Sequence, residues 1–145
     1  MPEAPVSVRV SGLEPHLTAR VGPDAPTSGL IRRDLERYYA VLADSLRTLT
    51  LTEAEASALV DALNGTLLEP HTYRFLWADV EDSLPELAEK WGIDGPALVR
   101  KLRGLSPGAA MAAADAVEQF WTRVSRGEAK GESHADRLRA VGLVR

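Results

Sequence analysis

The side chains with chemistry to offer are three histidines, one cluster of acids and two small groups of basic residues. His16, His71 and His134 are far apart, and none has a second His, Asp or Glu at metal-ligand spacing on the same helical face. No metal site is expected. Asp79, Glu81 and Asp82 resemble paired carboxylates, but no histidine or further acid is placed by spacing to complete an acid–base site, so they read as a solvated helix face. No glycine loop has the form of a phosphate cradle, and no nucleophile sits in a recognisable elbow. The chain has no cysteine, which removes thiolate and disulfide chemistry. These readings point away from an enzyme and away from a cofactor.

The basic groups sit in different surroundings. Ser7 and Arg9 alternate with Val6, Val8 and Val10, the period-two signature of a half-buried β-strand over residues 6–11. Two helical patterns follow, 13–21 and 28–46, separated by a breaker-rich stretch from Gly22 to Gly29. Leu13, Leu17 and Val21 at i, i+4 and i+8 support the first helix, with Pro15 tolerable in its first turn. An alternative stays open: residues 17–21 also alternate and could pair with 6–11 as an intrachain hairpin. A lone strand needs a mate for its backbone groups, and the simplest mate otherwise is the same strand of a second chain.

This order of strand, short helix, turn carrying Thr27-Ser28-Gly29, and long helix resembles the ribbon-helix-helix family of DNA-binding regulators over the first third of the chain. The resemblance implies an antiparallel two-chain ribbon in the major groove. Val6, Val8 and Val10 would face the dimer core, and Ser7 and Arg9 the base edges. Ser11 would cap the first helix or touch a phosphate, and the amides of Thr27, Ser28 and Gly29 would meet a phosphate at a helix N-terminus. Arg9 is the strongest candidate, because arginine can contact guanine O6 and N7 bidentately. The first helix departs from the family by being about one turn short. Tyr38 and Tyr39 are expected between helices or at the dimer seam.

Downstream the pattern is helical. Thr52-Glu53-Ala54-Glu55 is a capping box opening a helix that ends near Gly65. Residues 73–80 are expected to be mostly helical. Residues 84–105 look like a helix-turn-helix: Ala88 and Gly92 fall where that motif wants a small residue and a turn glycine, and Leu98 where it wants an apolar contact. Arg100, Lys101 and Arg103 make its second helix a second DNA-binding candidate. Lys101 departs from the pattern at a usually apolar position, and Gly95-Pro96-Ala97 offers no side chain to read bases. Ser106-Pro107 starts an alanine-rich helix running to near Gly127. Residues 126–133 read as a flexible linker, and 135–144 as a short helix that docks on a partner or a frayed tail.

Charge sharpens the picture. The net charge is −4, yet residues 1–50 balance six basic against six acidic side chains, 53–94 hold ten acidic and two basic, and 95–145 hold nine basic and five acidic. The acidity is local, so a DNA-facing surface could still be positive. No stretch is long and apolar enough to span a bilayer and no leader pattern opens the chain, so a cytoplasmic protein without membrane contact is expected.

The resulting expectation is a mainly α protein. Residues 1–50 form a ribbon-helix-helix of one strand and two helices in an intertwined dimer, 51–126 a helical domain, and 127–145 a flexible linker and basic tail. Its expected function is sequence-specific, dimeric DNA-binding regulation, autoregulatory or antitoxin-like by family analogy, with double-stranded DNA as ligand and a possible protein partner at the acidic C-terminal domain. The alternative is a helical protein–protein adaptor without DNA binding, whose acidic 53–94 surface meets a basic partner.

Overall fold

A computed structural model describes residues 13–22, 28–64 and 76–145. Its elements are α1 (Glu14–Val21), α2 (Ser28–Leu46), α3 (Glu53–Ala62), α4 (Leu76–Trp91), α5 (Gly95–Arg103), α6 (Pro107–Ser125) and α7 (His134–Ala140). Among the described residues every regular element is an α-helix and none is a strand. That corrects the ribbon-helix-helix expectation to an all-helical architecture, and the intertwined ribbon dimer goes with it. The physical reason within the chain is that the apolar residues after Gly12 follow helical rather than alternating spacing, so the described residues bury them along helices. Residues 17–21, the intrachain alternative, lie inside α1 instead, following their i, i+4, i+8 spacing. Residues 6–11, with Ser7, Arg9 and Ser11, lie outside the described residues, as do Thr27 and His71.

The chain divides into two compact units, residues 1–39 and 40–145. In the first, α1 begins with Pro15 in its opening turn and ends where the Gly22 N–H donates to the Thr18 carbonyl at 2.8 Å. Gly22 has a φ of 88°, a conformation that favours glycine. Leu17 and Leu30 are buried, and Arg20 pairs with Asp34 of α2.

The second unit is built around α3. Five consecutive residues, Ala56 to Val60, are buried, so this helix is enclosed on all sides rather than along one stripe. It contacts α4, α6 and α7, and α4 contacts α5. The Thr52 capping box forms as expected: the Glu55 N–H donates to Thr52 Oγ1 at 3.1 Å, and the Thr52 N–H donates to Glu55 Oε2 at 2.9 Å. Six alanines of α6 are buried beside Val117 and Phe120, which permits close helix approach. Trp121 Nε1 donates to the Val60 carbonyl at 2.8 Å and ties α6 to the end of α3.

Of the two alternatives for 135–144, the short helix forms as α7, and the stretch before it packs on the chain. Ala129 is buried, and Arg123 donates twice to Glu132, at 2.7 and 3.2 Å, pinning the turns between α6 and α7. Glu132 in turn raises the pKa of Arg123 by accepting those hydrogen bonds. Ser133 caps α7, and Leu138, Val141 and Leu143 enter the main core. The segment docks on its own chain, because its leucines at i and i+5 bring enough apolar surface to offset ordering it.

Candidate functional site

Helices α4 and α5 are joined by a short glycine turn and pack on each other. Gly92 takes φ +65°, and the Ile93 N–H donates to the Ala88 carbonyl at 3.1 Å, the wider-ring bond that closes a helix on a left-handed glycine. A Cβ on Gly95 would lie 3.5 Å from Ala88 Cβ, so two small residues set the approach of the helices. Asp94 caps α5 by accepting from the Ala97 N–H at 3.0 Å, and Leu98 and Leu102 are fully buried.

The basic group at the end of α5 is largely engaged within the chain. Lys101 Nζ donates to Glu55 Oε2 at 2.7 Å and to the Thr50 carbonyl at 3.0 Å. Its place at a usually apolar position is thereby explained: it links α5 to the capping box of α3. Arg103 pairs with Glu81 of α4. Arg100, Lys101 and Arg103 all stand in the last turn of α5, where cations complement the helix dipole. Ser28 and Gly29 are exposed as the first two residues of α2.

A different surface stands out on the first half of α2. Ile31, Leu35 and Tyr38 recur at four- and three-residue intervals, the spacing of a helix–helix seam, with Tyr39 beside them. Leu35 is 47% and Tyr39 55% exposed, and Tyr38 and Tyr39 meet edge to face at 5.3 Å. Along the Tyr39 edge of this stripe, Arg32 Nε donates to Glu36 Oε1 at 3.1 Å, with both side chains largely in water. One turn later the same spacing reaches Leu42, which is buried.

Sequence spacing could not show a pair drawn from residues 77 positions apart. Ser57 Oγ lies 2.8 Å from His134 Nε2, and the imidazole stacks on Trp91 at 5.5 Å and meets Phe120 edge-on at 5.9 Å. Ser57 Oγ donates its single proton to the Glu53 carbonyl at 2.7 Å, so it accepts from His134. A serine nucleophile would instead donate to the histidine, and Ser57 is 1% exposed. This pair therefore joins α3 to α7. Beside it Asp61 accepts from Trp91 Nε1 at 2.9 Å and from Lys90 Nζ at 2.7 Å, joining α3 to α4.

Among the described residues no group of three or more His, Cys, Asp or Glu is placed to hold a metal ion, and no helix is long and apolar enough to cross a membrane. No family model matches this chain, the ribbon-helix-helix family included, and no curated protein or solved structure is found to be similar to it.

Proposed function

We propose that this protein is a helical protein-interaction module that pairs with a second copy of itself through α2, without DNA contact. The stripe of half-buried Ile31 and exposed Leu35, Tyr38 and Tyr39 carries the reading: at seam spacing, such a stripe gains by leaving water against another helix. A second copy fits for a reason of charge. In an antiparallel pair centred on Leu35, each Leu35 meets its equivalent and each Ile31 meets a Tyr39. Arg32 of each helix then comes beside Glu36 of the other, so both charges keep a partner. Because the chain has no cysteine, one introduced thiol reports one position. Leu35→Cys should be captured as a dimer by a short bis-maleimide, while Arg37→Cys, on the opposite side of α2, should not. Equal capture of the two variants would contradict the pairing.

A second reading rests on the α4–α5 geometry: Arg100 and its neighbours contacting duplex phosphates. In that case binding to a random duplex falls steeply with salt, and Arg100→Ala lowers the slope by about one. Lys101 and Arg103 are already paired with Glu55 and Glu81, which is why the interaction module is preferred.

A further inference from the structure

The second unit contains a groove of about 560 Å³ between the segment 43–53 and the C-terminal segment 139–145. That volume is ordinary for a small-molecule site. We propose that it binds a medium-chain aliphatic carboxylate, with the alkyl chain along the floor and the carboxylate at an arginine rim.

The floor is made by Leu46, Leu49, Leu51, Leu143 and Val144. Leu49 and Leu143 belong to the core, so this wall is held from behind. Gly142, at φ +80°, brings bare backbone against Leu46: a Cβ there would sit 2.7 Å from Leu46 Cδ2. No aromatic ring lines the groove, so ring stacking is not what it offers; branched aliphatic walls suit an alkyl chain.

The lining holds Arg47, Arg139 and Arg145 with one acid, Glu53, while Asp44 and Asp136 lie outside it. Arg47 pairs with Asp44 and Arg139 with Asp136, both at 3.1 Å and one helical turn apart on exposed surface. Such pairs are screened by water, and each guanidinium keeps further N–H donors for a ligand oxygen. Arg145 donates to the Arg47 carbonyl, which lays the C-terminal segment along the groove. Guanidinium binds carboxylate bidentately, so an anionic end group above an apolar trough is the complementary ligand.

Titration calorimetry of the whole chain with decanoate and with decanol tests this, with amide shifts of Gly142, Leu143 and Val144 as the locator. Decanoate should bind saturably, one to one, and at least about tenfold tighter than decanol. The double variant Arg47→Gln, Arg139→Gln changes only exposed side chains; it should bring decanoate down to the decanol level and leave decanol unchanged. Leu35→Glu, in the other unit, should leave decanoate binding as it is. The assignment is overturned by equal affinity for the two ligands, by undiminished decanoate binding in the double variant, by loss of binding in Leu35→Glu, or by no saturable decanoate binding at all.

Discussion

Helices α2 and α3 use apolar residues in opposite ways. α3 is short, rich in small residues and buried around its whole circumference, with its alanines letting neighbours approach from every side. The first half of α2 is amphipathic, and it leaves its most regular stripe in water. One helix has spent its apolar surface on folding, whereas the other retains surface for association. Truncation should therefore damage the fold at α3 and association at α2.

The largest effect is expected from Leu59→Ala. Leu59 is fully buried in α3, and its loss should cost about 2–5 kcal/mol in urea unfolding. Leu35→Ala should stay within about 0.5 kcal/mol of wild type when the dissociated chain is unfolded, as surface changes do. Similar losses at the two positions would erase the contrast. Next comes His134→Ala, which leaves buried Ser57 without its second partner and removes the stack on Trp91; about 2 kcal/mol of thermal stability should go. Lys101→Ala breaks a partly exposed link between α5 and α3 and should cost about 1 kcal/mol, against no measurable change for Arg100→Ala.

The smallest effect is a pH dependence. Hydrogen bonding by Ser133, and then by Arg139, holds the Asp136 carboxyl below its usual value. A carboxyl lowered on folding contributes stability that is present above its unfolded pKa and lost as pH falls through its lower folded value. Asp136→Asn should flatten the acid limb of the stability–pH curve slightly. An unchanged limb would show that this exposed group makes no contribution.

Local patterns predicted three of the helices well because each of those carried its own start signal. The Thr52 capping box, Asp94 before Gly95-Pro96, and Ser106 before Pro107 all open helices where their spacing says they should. The helix pair around Gly92 was legible for the same reason: its glycine, alanine and leucine lie within eleven residues. What the sequence did not disclose depends on distant partners. Nothing near Ser133 indicates that His134 will meet Ser57, and the charge-rich stretch 126–133 reads as a linker until Glu132 finds Arg123. The basic residues 100–103 suggested a nucleic-acid surface by type alone; their acidic partners, Glu55 and Glu81, come from other helices. The groove is invisible for the same reason, its two walls lying about ninety residues apart in the chain.

The pairing of α2 is tested most directly by sedimentation equilibrium of the full chain across the micromolar range, wild type beside Leu35→Glu. The wild type should approach twice the chain mass of 15.7 kDa, and the variant should stay at 15.7 kDa with an unchanged helical spectrum. A wild type that remains at the single-chain mass, or a variant that dimerises as well as the wild type, would contradict an interface centred on Leu35.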